Sequence, residues 1–269
     1  VLSIDDLRDP DRFEAFFRPV LERLKQIDGR AALSCMGNRL DLAHPLLQKW
    51  QQEGVSIEAH TLDHPCPCLQ KDDFVRAKTT YDQCVDQMFR LPGAHPVAYR
   101  MPCCDSMNSI SPRFFAEIFG KTTPEGNFLH MDSSVFVLQT PDDPDLPKEM
   151  VVGKEGKSRF DKYVPRDRGF VNYIMNYPYP YVIARLCWEL PSSIPDDWQG
   201  HNLQKPHHPV TIADMKAAID STAAKQGLYV LTHHAGAWIR NDQVIELIDH
   251  AVTRHGRKVK FLNFREVHD

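Results

Sequence analysis

His60 and His64 stand four residues apart in Glu58-Ala-His-Thr-Leu-Asp-His-Pro65, directly after the apolar run 55–57. Two imidazoles at that spacing, in a turn or a first helical turn, project to the same side. They can offer two neutral nitrogens to one metal ion. A third candidate ligand stands near the start of the chain, in Leu2-Ser-Ile-Asp-Asp6. Two histidines and a carboxylate leave an open coordination position, as hydrolytic metal sites require. Thr61 stands where His-Glu-x-x-His metalloproteases carry their glutamate, so this is not that signature.

A His-x-x-x-His pair alone says little in a chain with 13 histidines. Its weight comes from the elements that would position it. Strand patterns are expected at 1–4, 31–36, 55–59, 97–100, 130–138, 186–190, 228–232 and 259–264. Helical spacing predicts helices over 12–26, 46–52, 73–91, 111–119, 211–226 and 241–255. An irregular stretch rich in Pro, Asp and Tyr covers about 139–182. This alternation implies a parallel sheet, and seven or eight such strands imply a barrel. The whole of 1–269 reads as one domain with no repeat or linker.

In a parallel barrel every strand C-terminus faces one rim. Asp5 and Asp6 follow the first predicted strand, and His60 follows the third. Arg100 ends the fourth. Glu189 lies near the end of a later one, ahead of Asp196-Asp197-Trp198, and His233 follows 228–232. Reactive groups are thus expected to converge on that rim.

The composition is 42% hydrophobic and 25% charged over 269 residues, enough for one substantial core. A formal charge of −4 without Lys/Arg runs gives no footprint for nucleic acid or a membrane surface. No apolar run approaches a transmembrane length. No signal peptide is visible, but the chain opens inside a predicted strand, so a leader could have been removed. The seven cysteines (35, 66, 68, 84, 103, 104, 187) lack Cys-x-x-Cys spacing and read as reduced, structural thiols. Cys66-Pro-Cys68 leaves a disulfide or a second metal site open. Tyr177, Tyr179 and Tyr181 alternate in a Tyr-Pro-Tyr-Pro-Tyr run that suits an extended segment, either a half-buried strand or a sugar-stacking wall.

Ile4-Asp5-Asp6 resembles the first motif of the polysaccharide deacetylases, the carbohydrate-esterase family of chitin and peptidoglycan deacetylases. The segment from Gly54 to His64 resembles their His-Ser/Thr-x-x-His motif with its preceding strand. Tyr99-Arg100-Met101-Pro102 is similar to their Arg-x-Pro motif, and Met131-Asp132-Ser133-Ser134-Val135 to a later strand. Trp188-Glu189-Leu190-Pro191 through Asp196-Asp197-Trp198 resembles the fourth motif, and Val230-Leu231-Thr232-His233 the final Leu-x-His. The matches keep the family's order and span nearly the whole chain.

The resemblance implies a distorted (β/α) barrel and a metal-dependent deacetylase acting on an acetylated oligo- or polysaccharide, in an extracytoplasmic setting. It implies Asp5 as general base, with Asp6, His60 and His64 as metal ligands. Arg100 would orient Asp5, and His233 would be the general acid. Trp198 would wall the acetyl pocket, with Asp196 or Asp197 behind the site. The sequence departs from the family in three places. Leu7 replaces a Gly, and Cys103 replaces a Tyr whose backbone amide contacts the oxyanion. His234 stands where an acid usually follows the catalytic His, so His233 and His234 could exchange roles. Two imidazoles and a carboxylate suit Zn²⁺ first, and Co²⁺, Ni²⁺, Fe²⁺ or Mn²⁺ also. Two other functions share these residues: hydrolysis of a small-molecule amide or imide, and metal or glycan binding without turnover. The sugar, the choice between N- and O-acetyl, and the oligomeric state are not legible here.

Overall fold

The computed structural model describes residues 1–65, 73–103, 112–164, 173–183, 187–204, 209–236 and 238–269, the side chain of Arg39 excepted. The expected Cys66-Pro-Cys68 feature lies outside these residues.

The first half follows the expected alternation. Strand β1 (Leu2–Leu7) leads to α1 (Pro10–Lys25), β2 (Ala32–Cys35) to α2 (Pro45–Gln52), and β3 (Ser56–Ala59) to α3 (Phe74–Arg90). Helix α1 starts where Asp9 accepts a hydrogen bond from the Arg12 amide and Pro10 fills the first turn. Its residues Phe13, Phe16, Phe17, Val20, Leu21 and Leu24 recur at helical spacing, and all are buried. Each such side chain contributes roughly 1.5–3 kcal/mol by leaving water. Strand β4 (Ala98–Tyr99) precedes α4 (Pro112–Phe114), which continues as the π-helical turn Phe115–Phe119.

The expected strand at 130–138 is two strands in different sheets, β5 (Met131–Asp132) and β6 (Phe136–Leu138). Side chains interrupt it. The Ser134 amide donates to Asp132, and the Val135 amide donates to Glu189. The stretch 139–182 carries regular structure: α5 (Lys148–Val151), β7 (Tyr173–Met175) and β8 (Tyr181–Ile183). Then come β9 (Cys187–Glu189), β10 (Ser192–Ser193), α6 (Asp197–Gln199), α7 (Pro209–Ala224), β11 (Leu231–His234), α8 (Asn241–His255) and α9 (Phe264–His268). No strand forms at 259–264. Both edges of β1 are already paired, by β2 and β11, and Asn263 caps α9 instead.

The large sheet has eight strands in the order β11-β1-β2-β3-β4-β5-β9-β8. Seven run parallel, and β8 lies antiparallel to β9. A small parallel sheet, β10-β6-β7, is bridged to Val230, the residue just before β11, through Ser192. The result is the distorted (β/α) barrel anticipated above. Leu2, Ile4, Leu33 and Ile57 pack with Phe17, Leu21, Trp50 and Leu247 in the main apolar core. Side chains alternate along a strand, so their neighbours Ser3, Asp5, Ser34 and Glu58 turn to the other face, where they are buried as well. Polar groups therefore fill the barrel interior beneath the rim. No helix among the described residues is long and apolar enough to cross a membrane.

Candidate metal and hydrolytic site

Asp5 and Asp6 are neighbours on one strand, so strict alternation would send them to opposite faces. The backbone prevents this. Asp6 takes a left-handed conformation (φ 65°), and the β1–β2 register shifts between Ile4 and Leu7. Both carboxylates therefore line one cleft of about 370 Å³, which His234 also lines.

His60 leaves β3 with its amide bonded to the Cys35 carbonyl at 3.0 Å. Its Nδ1 lies 2.8 Å from the main-chain oxygen of Arg100. A carbonyl only accepts, so Nδ1 carries the proton and Nε2 presents a lone pair. Thr61 (φ 63°) and His64 (φ 55°) are also left-handed, and the His64 amide donates to Thr61 Oγ1 at 3.1 Å. The segment is thus a tight turn rather than a helical one, and it brings the two imidazole centroids to 5.1 Å.

Asp6 Oδ1 lies 3.4 Å from His60 Nε2 and 3.3 Å from His64 Nε2. These separations are long for hydrogen bonds. They match the edges of a tetrahedron, about 3.3–3.4 Å, for ligands about 2.0–2.1 Å from a central Zn²⁺. Asp6 Oδ1 and His60 Nε2 are buried without a hydrogen-bond partner, as expected of donors meant for a cation. Burial, then the charge of His60, pushes His64 down to about 4, so it is neutral and ligand-competent. Burial opposes ionisation of Asp6, but the proximity of His60, then of His234 and His64, holds it well below the usual carboxylate range. The residues fit a divalent cation.

Arg100 is 1% exposed. Its Nη1 donates to Ser192 Oγ and, at 2.8 Å, to Thr232 Oγ1. Its Nε lies 3.9 Å from Asp5 Oδ2. Burial raises the Asp5 carboxyl, but Arg100, then His60 and His234, outweigh that and keep it below its ordinary value. A buried carboxylate is thereby kept ionised next to the three candidate ligands.

Strand β11 runs two residues past its expected end, so His233 and His234 both lie on it. Alternation sends them to opposite faces. His234 pairs with Asp5 in register, and His233 pairs with Ile4 of the apolar core. His233 is fully buried, both ring nitrogens lack partners, and burial lowers it to about 4. His234 differs: Asp197 Oδ2 accepts its amide at 2.7 Å and Asp197 Oδ1 its Nδ1 at 2.9 Å. Burial opposes protonation, but Asp197 dominates and raises His234 to about 10. Trp238 packs edge-on against the His234 ring, centroids 4.5 Å apart. Trp238 was not anticipated; its only sequence signal is its place in the loop after β11.

Asp196 caps α6 through the Gln199 amide at 2.7 Å, which leaves Asp197 as the partner of His234. Trp198, half-buried, follows directly, and its carbonyl accepts from Asn202. Cys103 sits in a left-handed turn (φ 50°) and is disulfide-bonded, its partner lying outside the described residues. The expectation of reduced thiols holds at Cys35, Cys84 and Cys187 but not at Cys103. The segment before it is anchored: the Met101 amide donates to Ser134 Oγ, which donates to Asp132. Asp132 and Glu189 are buried together, and burial, then the Asp132 charge, raises Glu189 well above the carboxylate range. Tyr177 meets Tyr179 and Tyr181 at 5.0 and 6.2 Å, forming a cluster with Tyr177 partly exposed.

No protein-family model matches the chain, and no curated protein matches it in sequence. Solved structures match along nearly its full length. A candidate polysaccharide deacetylase from Mycobacterium smegmatis superposes with a TM-score of 0.61 at 18% identity, covering 99% of this chain and 87% of that one. The allantoinase Puue gives 0.60 at 13% identity, covering 96% and 72%. A polysaccharide deacetylase from Bacillus cereus gives 0.51 at 12% identity, covering 100% and 92%. The chain has the fold these structures share.

Proposed function

We propose that the chain is a metal-dependent hydrolase that removes acetyl groups, N-acetyl first, from an oligo- or polysaccharide. The observation that carries this reading is the set of 3.3–3.4 Å separations from Asp6 Oδ1 to two imidazole nitrogens beside an ionised Asp5. Asp6, His60 and His64 would hold a divalent cation, which when bound would supply Lewis acidity at the acyl carbonyl and the attacking water. Asp5, kept ionised by Arg100, takes the proton from that water as general base. His234, charged through Asp197, gives a proton to the departing nitrogen. We assign this role to His234 rather than His233, because His234 lines the cleft and is held protonated. Trp238 restrains its ring. Trp198 walls the acetyl pocket, and the Cys103 amide faces the developing oxyanion. The fold shared with polysaccharide deacetylases supports the substrate class.

The test is acetate release from acetylated oligosaccharides by the zinc-loaded chain and by D5N and H60Q. Full activity in both variants overturns the reading. The allantoinase likeness favours a second substrate class on the same residues, a small-molecule amide. A panel of chitooligosaccharides against cyclic amides separates the two.

A further inference from the structure

We propose that Asp220, His250 and His255 form a second divalent-cation site that staples α7 to α8, remote from the cleft. Asp220 lies on α7 and both histidines on α8. His250 Nε2 and His255 Nε2 approach the same oxygen, Asp220 Oδ1, at 2.9 and 2.6 Å. The donor set, two Nε2 and one carboxylate oxygen, is that of the Asp6 site, and all three ligand atoms lie within 4.8 Å of one another. Residues five apart on a continuing helix point about 140° away from each other. Here α8 stops at His255, before Gly256 at φ 55°, and the two rings meet with centroids 6.5 Å apart. Of the neighbouring cations, Lys216 pairs with Glu246 and Arg23 with Asp249, while Arg254 lines the same surface as Asp220 and His250. The side chains are 16–21% exposed, so a cation there keeps a position for water. Seating Zn²⁺ requires the His250 separation to widen by roughly 0.4 Å and the His255 separation by roughly 0.7 Å. Asp220 and His255 line a cavity with Val1 and Tyr229, at the start of β1 and just before β11, the rim opposite Asp6. The site is structural: it joins the two helices that flank β11 in sequence.

The test strips the full chain with a chelator, equilibrates it with zinc alone, and measures bound metal and Tm. The expected result is two equivalents in the wild type. One remains in H250Q/H255Q, with hydrolysis unchanged and the zinc-dependent rise in Tm reduced. One also remains in D6N/H60Q, with hydrolysis lost. Equal stoichiometry in wild type and H250Q/H255Q, or one wild-type equivalent that D6N/H60Q abolishes, overturns the proposal. If the double variant fails to fold, H255Q alone is expected to weaken one of the two sites on the order of tenfold or more, and unchanged affinities overturn it.

Discussion

The imidazole of His60 donates from Nδ1 to the main-chain oxygen of Arg100 at 2.8 Å. The guanidinium of the same arginine faces Asp5. One residue thereby sets the tautomer of a candidate ligand through its backbone and the charge of a candidate base through its side chain. Such outer partners matter nearly as much as the ligands they hold.

Removing the base and removing a ligand should be separable. D5N is expected to keep bound zinc and to lose roughly 10²–10⁴-fold in kcat. H60Q is expected to lose metal and activity together. Metal analysis alongside acetate release checks both.

Arg100 should be irreplaceable by other means. R100M leaves Asp5 buried without a countercharge, which is expected to cost about 3–5 kcal/mol in denaturant unfolding. Because Arg100 depresses Asp5, the Asp5 carboxyl rises in the variant and the acid limb of the pH–rate profile moves to higher pH. R100K keeps the charge but cannot reach Ser192, Thr232 and Asp5 together, so it should rescue only partly.

The basic limb is expected to follow His234. Asp197 raises it to about 10, so an acid in this position stays protonated across neutral pH. In D197N that support is gone and burial lowers the imidazole. The basic limb should then move to markedly lower pH. An unchanged basic limb would rule out His234 as the proton donor.

Glu58 offers a stability measurement independent of turnover. Its Oε2 accepts from the Val97 and Ala98 amides, and burial raises it from its ordinary 4.5 to about 7. The folded state therefore favours the protonated acid. That contribution is present below pH 4.5 and is lost as pH rises through 7. E58Q should gain stability over the wild type with increasing pH, by about 3 kcal/mol at pH 8, in urea titrations.

Much of this was readable from residue order. Helices 12–26, 46–52 and 241–255 announced themselves by spacing, and the Asp-Asp pair, His60, His64 and Arg100 by where they follow strands. Which of His233 and His234 turns toward Asp5 is not readable from the sequence, because it depends on β11 running through both, where alternation sets His233 beside Ile4 and His234 beside Asp5. The apolar run at 259–264 read as a strand because hydrophobicity does not report that the neighbouring sheet edges are already taken. Trp238 packs against a ring four residues before it, a contact that no strand or helix pattern announces.

Asp6, Thr61, His64 and Cys103 all hold positive φ, a conformation costing on the order of 1–3 kcal/mol at each non-glycine position. The rim that carries the candidate site thus has strain to relieve by letting go. Without a bound cation, amide exchange and proteolytic nicking should begin at these turns, while α1 and α8 remain closed.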